Sequence, residues 1–216
     1  MFLIGLCGRS GSGKTAVSKF LSEKGVLTID ADKVCRQVYS SNHSCISELT
    51  ARFGADIFAD GKIDRKLLSK RAFKTPENIS DLNNITHKYI VSEILAEAKT
   101  ASESGRKYVL IDAPLFFESG LDKYCDSVIA VFATKKALFS RLKARDNIDA
   151  SAANQRLNSQ KDNTFLLNHC DAAIKNTGSR EELRLRTYRA MLLVQIRLGI
   201  VHAQRERKKY VPVKKV

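Results

Sequence analysis

The chain has 216 residues and is 44% hydrophobic, which is enough for one core with an insertion or for two small lobes and argues against global disorder. Its net charge of +14 favours anionic partners, and charge alone does not distinguish nucleotides, nucleic acids and acidic membrane surfaces. The five cysteines are scattered and form no CxxC pair, which argues against a disulfide framework and a zinc site. Because no signal peptide and no apolar segment of transmembrane length is visible, we expect a soluble, cytoplasmic protein with no membrane partner.

A glycine-rich loop follows the first apolar run of the chain. Residues 2–7 are apolar without alternation, as in a buried parallel strand, and residues 8–15 read GRSGSGKT ahead of a helical pattern over residues 15–24. This context is typical of the phosphate-binding loop of nucleotide-binding proteins, in which glycines let backbone N–H groups surround an anion. In such a loop Lys14 bridges the β- and γ-phosphates and the Thr15 hydroxyl ligates Mg²⁺. The residues predicted to bind ATP here are Gly8, Ser10, Gly11, Ser12, Gly13, Lys14, Thr15 and Ala16.

Two acids follow the second predicted strand, residues 26–29. The order strand, loop, helix, strand opens a βαβ unit, which predicts a parallel sheet with helices on its faces. Ligands of such sheets bind at the carboxyl ends of the strands, where Asp30 and Asp32 lie. We assign Asp30 to capping or orientation at the start of the next helix, and Asp32 to base catalysis or metal binding.

Residues 33–104 interrupt the alternation of strands and helices. Their pattern is mostly helical, with amphipathic pieces at 46–53 and 64–73 and a clear helix start at Thr75 and Pro76. An insertion of this size is typical of a second, substrate-binding lobe. His87 lies in its last helix, where a lone histidine is more often a surface or core residue than a functional one.

The third and fourth predicted strands, residues 108–112 and 127–132, return the chain to the sheet. Asp112 ends the third strand, a position that suits a carboxylate in the second coordination shell of Mg²⁺ opposite the phosphate loop. Glu118 follows six residues later and is either a surface acid or a substrate contact.

A basic helical pattern over residues 135–145 is followed by another from Asp149. Arg141 and Arg145 are four residues apart and therefore share a helix face, and Arg156 and Lys161 follow. A cationic flap near a nucleotide site would close over the phosphates, neutralise developing charge and exclude water. For any single one of these residues, a solvated charged face explains the charge equally well.

The C-terminal part of the chain contains a weak fifth strand at 172–176, a long helix and a basic tail. Ser179 and Glu182 form a capping box ahead of the helix, which is predicted to run to about residue 205. The apolar residues of this helix include Leu183, Leu185, Met191, Leu192, Val194 and Ile196. Residues 205–216 carry six Lys or Arg side chains, from which we expect a mobile, solvated end, with nucleic-acid contact as the minority alternative.

In this order, the motifs resemble the dephospho-CoA kinase family from residue 1 to about residue 190. The phosphate loop is shared by many families, whereas DAD at 30–32 with Arg36 four residues on, and DAPLFFE at 112–118, are far more specific. The segments 141–146, 156–160 and 174–178 add to the resemblance. The chain departs from the family at Lys88, where His-Pro is usual for His87-Lys88, at Arg9 or Ser10, where a small apolar residue is often found, and at Lys161, where Gln-Met is usual for Gln160-Lys161.

The resemblance implies that the ribose 3′-hydroxyl of dephospho-CoA is phosphorylated with ATP and Mg²⁺, the last step of coenzyme A synthesis. It makes Asp32 the base on that hydroxyl, with Lys14 and Arg145 as the other catalytic residues, and places Asn176 near the adenine of ATP. The residues that it assigns to the coenzyme substrate are Asp32, Arg36, His87 and Glu118.

The implied fold is α/β, a three-layer P-loop kinase fold with a five-stranded parallel sheet, a helical substrate-binding insertion and a small helical lid. Residues 1–35, 105–140 and 166–205 would form the nucleotide-binding core. Residues 36–104 would form the lobe that binds the coenzyme substrate, and residues 141–165 the lid. Residues 206–216 form the basic tail, which is not part of the family pattern.

Three alternatives stay open. A small-molecule kinase of similar fold, such as a nucleoside or nucleoside-monophosphate kinase, would differ in its preferred acceptor. A nucleotide-regulated nucleic-acid-binding protein, suggested by the charge, would bind RNA or DNA in a salt-dependent manner, but Asp32 and the paired lid arginines favour an enzyme. A catalytically silent homologue is disfavoured because the key residues are all present. The oligomeric state does not follow from the sequence.

Overall fold

Seven strands form a five-stranded sheet and a short hairpin in a computed structural model, which describes residues 1–209, with side chains through residue 203. The strands are β1 (Phe2–Cys7), β2 (Leu27–Asp30), β3 (Phe58–Ala59), β4 (Lys62–Ile63), β5 (Tyr108–Asp112), β6 (Ser127–Phe132) and β7 (Ala172–Lys175). The large sheet has the order β2-β5-β1-β6-β7, and every neighbouring pair in it is parallel. The predicted five-stranded parallel sheet is therefore confirmed.

Nine α-helices are described in this part of the chain, besides short 3₁₀ helices at Ala55–Ile57 and Leu121–Tyr124. The α-helices are α1 (Lys14–Ser22), α2 (Ala31–Ser41), α3 (His43–Phe53), α4 (Arg65–Ala72), α5 (Pro76–Glu103), α6 (Lys135–Asp146), α7 (Ala150–Asn158), α8 (Asn163–Asn168) and α9 (Arg180–Lys209). Thr75 caps α5 as predicted, since its hydroxyl accepts a hydrogen bond from the Asn78 N–H at 3.1 Å. The capping box of Ser179 and Glu182 also forms, with both of its hydrogen bonds in place.

Buried side chains fill both faces of the sheet. On one face Ile111 belongs to a cluster that also contains Leu49 of α3 and Ile94 of α5. On the other face Leu110 belongs to a cluster with Val194 of α9. The result is a three-layer arrangement, in which the inserted helices and the sheet share one hydrophobic core.

The insertion differs in one respect from its mostly helical prediction. Strands β3 and β4 form an antiparallel hairpin, which packs through β4 against α2. Gly61 lies at its turn with a φ of 75°, and Asp60 has a φ of 51°. A left-handed Asp-Gly pair is a strong turn signal, but the two flanking strands of two residues each are too short to show alternation.

The final helix continues four residues beyond its predicted end at residue 205, to Lys209. The correction has a local reason, because no glycine or proline lies between residue 205 and Pro212 and basic residues are favourable at a helix C-terminus. The predicted tail at 206–216 therefore begins inside α9, and residues 210–216 lie outside the described part. Among residues 1–209, every helix falls short of the length or apolarity needed to cross a membrane.

Candidate active site

An open cleft lies at the carboxyl edge of the sheet, above β1, β2 and β5. Parallel pairing places Asp30 of β2 level with Asp112 of β5 at this edge. The cleft has a volume of about 800 Å³. The predicted site residues that line it are Ser10, Gly11, Gly13, Lys14, Thr15, Ala16, Asp32, Asp112 and Arg145. Arg141 and Arg156 of the expected cationic flap line it as well, and so does Lys33, which was not assigned in advance.

The phosphate loop has a shape that only glycine permits at two of its positions. Gly8 and Gly13 have φ angles of 152° and 105°. A Cβ on Gly13 would lie 2.3 Å from Nδ2 of Asn176, and one on Gly8 would lie 2.4 Å from the carbonyl oxygen of Val131. Larger residues would therefore be strained and would also collide with neighbouring strands. These contacts keep the loop close to β6 and β7 and leave its other side open to the cleft.

Asn176 and Arg141 brace the loop from behind. Asn176 is 7% exposed, and its Nδ2 donates to the Ser12 carbonyl at 2.7 Å, across 164 residues of sequence. Arg141 donates to the carbonyls of Gly11 at 3.2 Å and Asn176 at 3.1 Å. Because these bonds use the amide of Asn176 on the protein itself, the structure gives this residue a supporting place. Its predicted position near the adenine of ATP stays a prediction.

Lys14 and Asp112 form the charged floor of the cleft. Burial lowers the pKa of Lys14, against the opposing influence of nearby Asp112, and its Nζ donates to the Gly8 carbonyl at 2.7 Å. Burial raises the pKa of Asp112 to about 6, which Lys14 counteracts only in part. A carboxylate and an ammonium that are both costly to bury suit a site that receives further charges from a ligand.

Asp30 and Asp32 have the separate places that were predicted for them. Oδ1 of Asp30 accepts hydrogen bonds from the N–H groups of Asp32 at 2.9 Å and Lys33 at 3.2 Å, and so caps α2. Asp32 is exposed on the first turn of α2 and lines the cleft. Its carboxylate makes no ion pair or hydrogen bond with any described side chain, so it is free to accept a proton from a ligand.

The basic helices α6 and α7 present a pair of arginines joined by one acid. Arg145 binds the carboxylate of Asp146 through Nε at 2.6 Å and Nη2 at 2.9 Å, and Arg156 binds it at 2.8 Å. Both arginines are exposed and line the cleft. Asp146 was missed as a site residue. Its position directly after Arg145 was the available signal.

The segment predicted to form the lid, residues 141–165, is also bonded to the phosphate loop. The Gln160 side chain accepts from the Ser10 N–H at 2.9 Å and donates to the Ser10 hydroxyl at 3.1 Å. The Arg9 guanidinium donates to the Leu157 carbonyl at the end of α7. Arg9 and Ser10, where the chain departs from the resembling family, thus contact the lid through side chains.

The three remaining predicted substrate residues lie away from the cleft lining. Arg36 is exposed one turn after Asp32 on α2, so the two share a helix face. His87 of α5 lies near Glu118, and burial lowers its pKa, while the charge and backbone of Glu118 oppose this. His87 borders a second opening of about 500 Å³. Lys88, the departure at this point, forms an ion pair with Glu48 of α3 at 2.7 Å.

The oxygen groups at the cleft fit a magnesium ion that is held jointly with a ligand. Thr15, Asp32 and Asp112 offer the hard oxygen ligands that Mg²⁺ prefers. Within residues 1–209, no three His, Cys, Asp or Glu side chains are grouped closely enough to hold a metal by themselves. Mg²⁺ at kinase sites is typically bound by one or two carboxylates together with phosphate oxygens, so this donor set is compatible with it.

Comparison with known proteins gives one consistent result. The family model for dephospho-CoA kinase (CoaE) matches residues 2–182. The dephospho-CoA kinase of Fusobacterium nucleatum subsp. nucleatum is 36% identical over 186 residues, which cover 85% of this chain and 93% of that protein. The structure of dephospho-CoA kinase from Campylobacter jejuni has a TM-score of 0.68 at 27% identity, covering 89% of this chain and 96% of that one. TT1252 from Thermus thermophilus has a TM-score of 0.75 at 24% identity, covering 88% of this chain and 96% of that one, and shows likeness of fold alone.

Proposed function

This chain belongs to the dephospho-CoA kinase family, and we propose that it transfers the γ-phosphate of ATP to the ribose 3′-hydroxyl of dephospho-CoA, the last step of coenzyme A synthesis. The observation that carries the proposal is the cleft in which the phosphate loop, the free carboxylate of Asp32 and the arginine pair of the lid meet. Phosphoryl transfer needs alignment and charge neutralisation more than covalent chemistry, and this cleft supplies both.

The phosphate loop holds the donor. Its backbone N–H groups and the positive end of α1 bind the ATP phosphates, and Lys14 binds the β- and γ-phosphates. Burial makes the ammonium of Lys14 costly in the absence of a ligand, so binding of a phosphate restores a favourable partner. Asn176 and Arg141 keep the loop in shape during this exchange.

Asp32 acts on the acceptor. As the ribose oxygen attacks the γ-phosphorus, its proton passes to the Asp32 carboxylate, and the bond between the γ-phosphorus and the β-phosphate oxygen breaks to release ADP. Asp30 holds the start of α2, and thereby the direction of Asp32, through its cap. Arg36 binds the acceptor on the same helix face, and His87 and Glu118 bind parts of the acceptor further into the lobe at 36–104.

Arg145 neutralises the transferred group. It exchanges its present partner Asp146 for the γ-phosphate as the lid at 141–165 closes, which also keeps water from serving as the acceptor. Bound Mg²⁺ would be held by Thr15, with Asp112 in its second coordination shell, and would neutralise charge on the phosphate oxygens. A cytoplasmic location fits the five free cysteines, because thiols persist in a reducing compartment.

The test is the choice of acceptor. ADP release is measured with Mg-ATP and, separately, dephospho-CoA, adenosine, AMP and shikimate, and each product is checked by mass for one added phosphate. The Asp32→Asn variant, prepared in parallel, measures contaminating ATPase. We expect turnover with dephospho-CoA alone.

Each other outcome rejects a defined part of the proposal. Turnover with another acceptor keeps the phosphate-loop mechanism and rejects the substrate. Absence of turnover with every acceptor, together with salt-sensitive binding of RNA or DNA, would favour the nucleic-acid alternative.

A further inference from the structure

Helix α9 has a second apolar face, which points away from the core. Its inward face buries Leu183, Met191, Val194 and Leu198. Its outward face carries five large aliphatic side chains, which we call the outer stripe. They are Leu185, Leu192, Leu193, Ile196 and Ile200, and their exposed fractions lie between 50% and 64%. At the angular step of an α-helix, they fall within an arc of about 100° opposite the buried face.

The outer stripe is separate from the catalytic cleft. Near its first turn α9 lies behind the phosphate loop, where Leu183 is within 3.8 Å of the position of a Cβ on Gly13. Near its far end His202 packs edge-on against Phe2 at the start of β1, with 6.0 Å between ring centroids. The helix thus runs along the side of the sheet, and the described lining of the cleft includes no residue of α9. A partner on the stripe would leave the cleft open.

The family model does not extend to the stripe. The family model ends at residue 182, before the first residue of the stripe. Five aliphatic side chains on one exposed face form a contiguous patch of the kind that marks an interaction surface, whereas singly scattered ones need no explanation.

The charged residues on and beside the outer stripe indicate which kind of partner it would bind. From residue 183 to residue 205 the chain has no Asp or Glu and five arginines. Arg189 lies inside the arc of the stripe and makes no ion pair with a described residue. Arg186 and Arg197 flank the arc, where Arg186 pairs with Glu182 at 3.9 Å and Arg197 pairs with Asp171. Because Arg189 has no acid partner among the described residues and residues 183–203 contain no Asp or Glu, the stripe itself carries positive charge, which complements an anionic partner.

A second copy of the chain fits this surface poorly. Packing stripe on stripe would bring two Arg189 side chains into one apolar interface that has no acid to pair with them, which is costly. A lipid surface has no such conflict. Aliphatic side chains can enter the boundary of the acyl chains while arginine stems reach up to the headgroup phosphates.

We propose that the outer stripe of α9 docks the protein on an anionic lipid membrane surface. The expectation of no membrane partner rested on the lack of a spanning segment, and that lack does not bear on a helix lying in the interface. The proposal is independent of which acceptor the cleft phosphorylates.

The experiment is flotation of the full chain with vesicles of phosphatidylcholine mixed with phosphatidylglycerol, beside vesicles of phosphatidylcholine alone. We expect binding to the anionic vesicles only, weakening as salt is added. The triple variant Leu192→Gln, Leu193→Gln, Ile196→Gln should lose at least about tenfold in affinity, because it removes the apolar part of the contact. Arg189→Gln should lose about five-fold.

Two matched variants on the inserted lobe serve as controls. Phe73→Gln replaces a side chain that is 66% exposed at the end of α4, and Lys70→Gln removes one exposed positive charge from α4. Both should bind vesicles as the unchanged protein does. Kinase turnover in solution, equal for all variants, shows that each of them is folded.

Three results would overturn the proposal. The triple variant could bind as tightly as the unchanged protein, which would assign binding to the basic residues alone. The unchanged protein could fail to bind anionic vesicles. Sedimentation could instead show a dimer that the triple variant dissociates without any vesicle binding, which would make the stripe an interface between copies.

Discussion

The phosphate loop and the reacting edge of the cleft are built in opposite ways. The loop is held by buried side chains from distant parts of the chain, such as Asn176 on the Ser12 carbonyl. The edge proposed to react consists of Asp32, Arg145 and Arg156, which are all exposed. Among the described residues, the side chains of the two arginines are bonded only to Asp146. The loop is thus preorganised for phosphate, whereas the edge has partners that a substrate can replace.

This difference fits the two tasks that we propose for the cleft, which are to hold the phosphate donor and to act on the acceptor. A donor site gains from fixed dipoles that need no rearrangement during reaction. Groups that act on the acceptor and on the transferred phosphate must admit substrates and then close, so exposed and exchangeable contacts suit them. Substitutions at the edge should therefore change turnover with little effect on stability or on ATP affinity, and substitutions behind the loop should do the reverse.

The largest effect is expected from Asp32→Asn. Without the base, turnover with dephospho-CoA should fall by about 10²–10⁴-fold, while ATP affinity stays within about two-fold. Single-turnover assays and calorimetric ATP titration measure the two quantities. Near-normal transfer by this variant would remove Asp32 from the mechanism.

Arg145→Ala should follow, with a loss of about 10²–10³-fold in kcat, because a positioned cation on the transferred group is removed. Arg145→Lys should restore little of it, since a point charge does not replace the planar fork of arginine. Arg156→Ala is the matched comparison, because it breaks the other bond to Asp146 and has no predicted catalytic role. Equal losses from both arginines would show that the lid acts only as a diffuse positive surface.

Asn176→Ala tests the other region of the comparison, the support behind the phosphate loop. It leaves the buried Ser12 carbonyl without its donor, which should cost about 1–3 kcal/mol of stability and raise the KM for ATP by about tenfold. Asn163→Ala is the control, since its amide donates to the Ala133 carbonyl at 2.9 Å and makes no hydrogen bond to residues 8–15. The control should lose stability without a change in KM. An unchanged KM in Asn176→Ala would contradict a supporting role.

The smallest effect concerns Asp112 and pH. The pKa of Asp112 in the folded protein is about 6 and lies above its ordinary value of 3.8, so ionisation of Asp112 opposes folding. Protonated Asp112 contributes favourably to the free energy of unfolding. This contribution is present in full below the pKa of the unfolded state and is lost as pH rises through about 6. Asp112→Asn should therefore stabilise the nucleotide-free protein by about 1–3 kcal/mol near about pH 7.5 and by much less near about pH 4. Denaturant unfolding at both pH values checks this, and a variant less stable than the unchanged protein at about pH 7.5 would contradict it.

Local signals were sufficient for much of the fold. The apolar runs at 108–112 and 127–132 predict β5 and β6 to the residue, and Thr75-Pro76 predicts the start of α5. The assignment of Asp30 to a cap also succeeded, because a cap depends on N–H groups only two and three residues away. The hairpin β3–β4 was missed because its strands are shorter than the period that reveals a strand.

The sequence by itself determined the phosphate loop, the strand that precedes it and the family, because these are set by residues adjacent along the chain. Only the tertiary structure decided that Asn176 and Arg141 brace the loop, that Gln160 and Arg9 join it to the lid, and that Asp112 stands level with Asp30. These contacts join segments far apart in sequence, and no local pattern specifies them. The same reason applies to α9. The sequence shows that Leu185, Leu192 and Ile196 are apolar residues of this helix, but only packing decided that they face outward.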